Sequence, residues 1–265
     1  MKVEEIVKTY ESTQLNRVLE ESLHPGGLDL TGRMAEVAGI DRTACILDVG
    51  CGRGTSTLFY TRQYKCRGIG ADLSPASIAI ASERCVAEGL ADMAHFMVAG
   101  ACQLPYAEAE FDVVFCECTM SLIADKAEAF REIARVVRPG GRILLSDVVL
   151  KHRLSDSFKQ EIGFSCCFTE ALTLEGYQEH ALNAGLHPIL VEDHSKALKQ
   201  TAYRVSVGYG SLEAFWSQFG QGKIPCCNSE PTSSSISSSS GGGWKAIFTQ
   251  GKPGYWLLAW KKPEG

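Results

Sequence analysis

The sequence predicts an α/β fold, a doubly wound and mostly parallel sheet with helices on both faces. Three observations carry this. Short apolar strands alternate with helical segments from Cys45 onward, the order that builds parallel sheets. The run Ile46–Gly54, Ile-Leu-Asp-Val-Gly-Cys-Gly-Arg-Gly, is a strand that stops at a glycine-rich turn and opens a helix at Thr55. A second short strand, Gly68–Ala71, then ends on an acidic residue, Asp72.

Taken in order, residues 1–45 form a helical extension. Thr13–Ser22 and Thr31–Ala38 are its helices, separated by His24-Pro25-Gly26-Gly27, a hinge or an ordinary interhelical turn. Cys45–Val49 is the first strand and Thr55–Arg62 the first core helix. Ser74 as N-cap, Pro75 at the first helical position and Gly89 as the stop bound the next helix. His95–Ala99 and Phe111–Cys116 are the third and fourth strands. Asp125–Val137 is amphipathic, with Ala127, Phe130, Ala134 and Val137 on one face. Pro139-Gly140-Gly141 turns the chain into strand Arg142–Asp147. Leu174–Ala184 is a helix stopped by Gly185, His187–Glu192 a sixth strand, and Tyr255–Lys261 the last. Ser195–Phe219 reads as one helical stretch, and residues 228–243 are nearly free of apolar side chains and read as a mobile loop. One domain over 1–265 is therefore expected: extension 1–45, nucleotide-binding core 46–194, helical and Ser/Gly-rich insertion 195–250, and final strand 251–265.

Composition narrows the function. The 265 residues are 45% hydrophobic and 22% charged, with a net charge of −5. That balance gives no footprint for nucleic acid. No apolar run reaches the ~18–20 residues that span a bilayer, and Met1–Glu5 lacks the core of a signal peptide. A cytoplasmic protein with no membrane or nucleic-acid partner is expected; oligomeric state is not readable. Eleven cysteines, an odd number, occur without a C-x-x-C pair, and no metal site is expected. Cys45, Cys66 and Cys85 read as small buried residues.

A glycine turn followed by a strand-end acid is how such folds hold the ribose of an adenosine-containing cofactor. The glycines are spaced Gly50-x-Gly52-x-Gly54, and Thr55 stands where a dinucleotide fingerprint requires glycine. That spacing favours S-adenosyl-L-methionine over a nicotinamide dinucleotide. With Leu104-Pro105-Tyr106, Phe111-Asp112-Val113-Val114 and Arg131 to Gly141 (Arg-Glu-Ile-Ala-Arg-Val-Val-Arg-Pro-Gly-Gly), the stretch from about Ile46 to Val149 resembles class I S-adenosylmethionine-dependent methyltransferases of the type 11 small-molecule group. The resemblance implies a Rossmann-like seven-stranded sheet with its last strand antiparallel between the fifth and sixth. It also implies an N-terminal helical lid and a small-molecule methyl acceptor. The cofactor-binding residues it implies are Asp48, Gly50, Cys51, Gly52, Gly54, Asp72, Leu73, Ala101, Cys102 and Cys116. Many relatives carry an Asp four residues before Leu104 to meet the adenine amino group; this chain has Gly100.

Cys116-Glu117-Cys118, after the fourth strand, borders donor and acceptor, and Glu117 and Cys118 are candidate catalytic residues, joined by Cys167 through the resemblance that follows. Cys118 to Leu122, Asp125-Lys126, Ser146 to Val148 and Cys167 to Leu172 resemble stretches of arsenite methyltransferases. That narrower resemblance implies trivalent arsenic held by Cys118 and Cys167, since soft thiolates suit a soft centre. A third thiol is open: Cys45 begins a strand, and Cys166, Cys226 or Cys227 are the substitutes. His194 and His24 are weaker proton-acceptor candidates. Two alternatives stand beside this reading, a non-catalytic cofactor- or metalloid-binding protein and a nicotinamide-dependent oxidoreductase.

Overall fold

The sheet grows outward from its first strand. In the computed structural model, which describes residues 3–19, 22–162, 166–168, 170–219 and 247–264, β1 (Cys45–Val49) pairs in parallel with both β2 (Arg67–Asp72) and β4 (Phe111–Glu117). β3 (Ala94–Val98), β5 (Val137–Leu150), β7 (His187–Asp193) and β8 (Pro253–Lys261) complete the order β3-β2-β1-β4-β5-β8-β7. β8 runs antiparallel to both of its neighbours, as the family pattern implies. An eighth strand joins the expected seven: the two-residue β6 (Leu172–Thr173) pairs with the end of β5.

Strand alternation divides the core and aims the site residues. Ile46, Val113, Phe115 and Leu144 face the layer of α3 (Gly27–Ala38) and α4 (Thr55–Tyr64), where Met34 and Tyr60 are buried. Leu47, Val114, Cys116 and Leu145 face the opposite layer, where α6 (Lys126–Val136) and α8 (Leu174–Asn183) bury Phe130, Ile133 and Tyr177. α5 (Pro75–Ala87) covers β3, with Cys85 and Leu90 in a smaller cluster. With a side-chain period of two, Asp48 follows Ile46 and Glu117 follows Phe115 onto the α3–α4 side. Two carboxylates thereby reach the carboxyl ends of adjacent strands on one face. Cys116 is turned the other way.

Local signals placed these elements well. Ser74 Oγ accepts from Ser77 N at 3.0 Å with Pro75 following, and Asp125 caps α6 through Glu128 N at 3.0 Å. Three expectations change. Val3–Glu11 forms a helix, α1, ahead of α2 (Thr13–Leu19). The expected single helix after β7 breaks at Gly210, whose φ of 81° suits glycine; the pieces are α9 (Ser195–Tyr209) and α10 (Leu212–Phe219). β5 begins at Val137, so the Pro-Gly-Gly turn lies within it, at a register shift against β4 between Phe111 and Val113. α7 (Asp156–Ile162) follows β5. The Ser/Gly-rich segment 228–243, Cys226 and Cys227 lie outside the described residues. Among the described residues no helix is long and apolar enough to cross a membrane.

Candidate active site

A cavity of about 1000 Å³ opens beyond the carboxyl ends of β1, β2, β3 and β4, where open α/β sheets take their ligands. Its floor is the glycine turn. Gly50 N and Cys51 N both donate to Ala71 O, at 2.7 and 3.1 Å, tying the turn to β2. Gly50, Gly52 and Gly54 have φ of 77°, 51° and 77°, where a side chain is strained. A Cβ on Gly50 would lie 2.2 Å from Thr119 Oγ1, and one on Gly54 2.7 Å from the Phe96 ring. A Cβ on Gly52 meets no atom within 4 Å; its missing side chain opens onto the cavity. Gly54 caps α4 and packs on Phe96, outside the lining, while Gly50, Cys51 and Gly52 line it.

Asp72 is set before any ligand arrives. Its two oxygens accept from Gly52 N at 2.9 Å and Ser74 N at 2.8 Å. Each carboxylate oxygen has a second lone pair, so both remain able to receive ribose hydroxyls. Burial pushes this carboxyl up, against the pull of the Ser74 and Gly52 amides. Beside it, Leu73 is 48% exposed and reaches over Gly100, where a Cβ would sit 3.1 Å from Leu73 Cδ2. The missing acid at position 100 thus gives Leu73 its room. Leu73, Ala99, Ala101 and Cys102 line the cavity on this side.

Three acids ring the floor. Asp48 is buried, accepts from Thr57 Oγ1 at 2.7 Å, and is pushed up to about 7 by burial first and Glu117 second. Glu117 is held by Thr31 Oγ1 at 2.9 Å, Tyr60 OH at 3.2 Å and His24 Nε2 at 3.2 Å. Tyr60 itself stacks on Phe115, centroids 4.2 Å apart. Clustered carboxylates in a partly enclosed site favour a cationic ligand such as a sulfonium. The lining residues therefore fit S-adenosylmethionine in shape and charge.

The loop after β4 closes one side. Cys118 N donates to Ser146 O at 2.7 Å, and its φ of 53° holds it in the left-handed region. Asp147 accepts from Ser121 N at 2.9 Å, and Lys126 Nζ donates to Ile123 O at 2.7 Å. Burial pushes Asp147 up to about 6 and Lys126 down to about 8. The Cys118 thiol meets that of Cys167, and this contact together with burial pushes it well above the usual thiol range.

Of the sequence candidates, Glu117, Cys118, Asp48, Gly50, Cys51, Gly52, Asp72, Leu73, Ala101 and Cys102 line the cavity. Cys167 stands behind Cys118, outside the lining. Cys116 is corrected: buried among Val114, Met120 and Phe130, it belongs to the core on the other face. Cys66 and Cys85 are buried as expected, whereas Cys45 is half-buried at its strand's start. His194 precedes α9, bound to Glu192 at 3.2 Å and away from the cavity. Sequence reasoning undervalued His24, which lines the cavity, and missed Ile6, Val7 and Tyr10 of α1 and Asn16 of α2. Ser74 Oγ donates to Glu11 Oε1 at 2.6 Å, tying α1 to the start of α5.

A family model for a methyltransferase domain matches residues 47–145. Methyltransferase GfsG of Streptomyces halstedii is 28% identical over 246 residues, 92% of this chain and 83% of the relative. The 27-O-demethylrifamycin SV methyltransferase of Amycolatopsis mediterranei is 30% identical over 211 residues, 72% of this chain and 77% of the relative. Among solved structures, the [4+2]-cyclase SpnF superposes with a TM-score of 0.73 at 23% identity, covering 98% of this chain and 94% of the other. Phosphoethanolamine N-methyltransferase 2 of Haemonchus contortus, in complex with S-adenosyl-L-methionine, gives 0.70 at 24% identity over 94% of this chain; the match spans 56% of that longer chain.

Proposed function

We propose that this chain, which belongs to the class I S-adenosylmethionine-dependent methyltransferases, methylates a largely apolar, unphosphorylated small molecule. Bound in the cavity, the cofactor supplies an electrophilic methyl group on sulfur. The glycine turn would cradle its amino-acid portion, Asp72 its ribose, and the side lined by Leu73, Ala101 and Cys102 its base.

The apolar share of the cavity lining carries the substrate reading. Ile6, Val7, Tyr10, Leu23, Leu122 and Ile123 are among the residues lining the cavity, whose only described Arg or Lys side chains are Arg53 and Arg84. Both belong to the glycine-turn end, where Arg84 donates to Arg53 O at 3.0 Å and Thr55 Oγ1 at 2.8 Å. Phosphoryl groups are held by arginine and lysine, so the phosphorylated acceptor named for the phosphoethanolamine enzyme is not matched. The name of the rifamycin relative gives an O-demethylated molecule as its acceptor, which agrees with this apolar lining. Aligning acceptor oxygen or nitrogen with the methyl group and excluding water would supply most of the acceleration.

The test is a donor-consumption screen, read as homocysteine after hydrolysis of the product. Turnover with apolar hydroxylated or amino compounds, and none with phosphoethanolamine, is expected. Efficient turnover of the phosphorylated acceptor would refute the reading.

A second reading keeps trivalent arsenic on Cys118 and Cys167, favoured by the contact between the two thiols. Among the described residues no third ligand joins them. Cys45 starts β1, at the opposite end of the sheet from Cys118, and no three-residue metal-binding group occurs among the described residues. Arsenite-dependent turnover lost in both Cys118→Ser and Cys167→Ser would establish it. Equal rates in both variants and wild type would end it.

A further inference from the structure

Asp48 is a buried acid in the cavity lining whose hydrogen-bonding partners carry no charge. Its side chain is 2% exposed. Parallel pairing sets Asp48 beside Phe115, so Glu117, two residues on, projects to the same face of the sheet. The hydrogen bonds to Asp48 come from Thr57, through the hydroxyl at 2.7 Å and the main-chain amide. Glu117 from β4 and Asp72 from β2 face it as like charges and add to the effect of burial. Tyr60 from α4, Cys51 from the turn and Cys116 from β4 are pushed well above their usual ranges, by burial first, and stay neutral. His24 from the extension meets Glu117 at 3.2 Å, its Nδ1 donating to Pro25 O. Of the two arginines in the cavity lining, Arg84 is bound to Arg53 O and Thr55 Oγ1. A buried carboxyl among other acids and without a charged donor retains its proton far above the usual carboxylate range, here to about 7.

We propose that Asp48 is protonated while the cavity is empty or holds the thioether product, and releases that proton to solvent when the sulfonium donor binds, so that the site distinguishes donor from product by charge. This rests on the methyltransferase reading above and names the residue that sets its donor preference. S-adenosylmethionine and S-adenosylhomocysteine differ by one methyl group and one positive charge on sulfur. The order β3-β2-β1-β4 sets where that charge falls. With the ribose on Asp72 at the end of β2 and the amino-acid portion on the glycine turn after β1, the sulfur between them lies over the end of β1, where Asp48 stands. A cation within about 4–6 Å favours the ionised carboxylate by roughly 10- to 1000-fold. The neutral sulfur of the product offers no such stabilisation. Once the methyl group has left, an ionised Asp48 is again a buried charge without a partner, and a proton returns to it from solvent. Donor binding thus strengthens as pH rises, while product binding does not, which limits inhibition by product.

The test counts protons and needs no methyl acceptor. Isothermal titration of the full chain with each ligand, at about pH 6 in buffers of different ionisation enthalpy, gives the protons exchanged on binding; at that pH the amino group of either ligand is already protonated. From a carboxyl at about 7 and a 100-fold effect of the sulfonium, donor binding should release about 0.8 proton and product binding close to none. Between pH 5.5 and pH 7.5 the Kd of the donor should then fall about 20-fold relative to that of the product. Asp48→Asn, which keeps an oxygen to accept from Thr57, should release no proton and hold that ratio flat. Glu117→Gln removes one of the acids that raise Asp48, so it should release less than wild type. Equal proton counts for the two ligands in wild type, or release undiminished in Asp48→Asn, overturns the inference and leaves the cofactor assignment standing. Failure of both ligands to bind wild type overturns the methyltransferase reading with it.

Discussion

Replacing Asp72 with asparagine tests whether this carboxylate holds the cofactor's ribose. In the folded protein its two oxygens already accept from Gly52 N and Ser74 N. Asparagine keeps one oxygen, and its amide must then face one of those two donors. Toward the ligand, one charge-assisted hydrogen bond becomes neutral and the other is lost. At roughly 1.5–3 kcal/mol for a bond to a charged group, the loss is about 3–4 kcal/mol, a rise in Kd of roughly 150- to 900-fold. Isothermal titration with S-adenosylmethionine and S-adenosylhomocysteine reads it, and both should weaken together because they share the ribose. A cycle with adenosine and 2′-deoxyadenosine isolates the contact: wild type should discriminate between them more strongly than Asp72→Asn. A Kd within about threefold of wild type, or undiminished discrimination by the variant, would refute the reasoning.

Gly50→Ala places a Cβ 2.2 Å from Thr119 Oγ1 at a φ of 77°. It should cost about 2–5 kcal/mol from left-handed strain and overpacking, visible as a lower Tm. Gly52→Ala has no such neighbour within 4 Å, so it should lower Tm by only about 2 °C while its methyl group, projecting into the cavity, abolishes cofactor binding in the same titration. Asp48→Asn removes a carboxyl raised to about 7 while an amide oxygen remains to accept from Thr57. A group raised in the fold binds its proton more tightly there than when unfolded, so its contribution is present at low pH and lost as pH climbs through about 7. Without cofactor, the asparagine variant should therefore melt on the order of 4–7 °C above wild type at pH 8, with the gap shrinking toward pH 4; an equal gap at both pH values would contradict it.

The architecture was legible because its signals are local. The strand before Gly50, the Ser74-Pro75 cap and the stop at Gly89 act within a few residues, where backbone sterics and capping hydrogen bonds decide the outcome. The glycine spacing with Thr55 in place of a third glycine was enough to point to the cofactor. The same local reading failed where a helix depends on packing. α1 is held partly by Glu11 on Ser74, 63 residues away, and nothing inside Val3–Glu11 announces that contact.

What the sequence determined by itself is the alternation of strands and helices and the crevice at the sheet's carboxyl edge, because alternation and turn chemistry are properties of neighbouring residues. Tertiary structure alone decided which side chains meet in that crevice. The period of two sent Cys116 into the core and Glu117 to the cavity, a one-residue difference that composition cannot express. Leu73 filled the room left at Gly100, two loops apart in the chain. His24 became a site residue only because the extension folds back onto β4, bringing an imidazole to a carboxylate 93 positions further along the chain. Such a pairing is fixed by docked helices and buried hydrogen bonds, and those exist only once the chain has closed on itself.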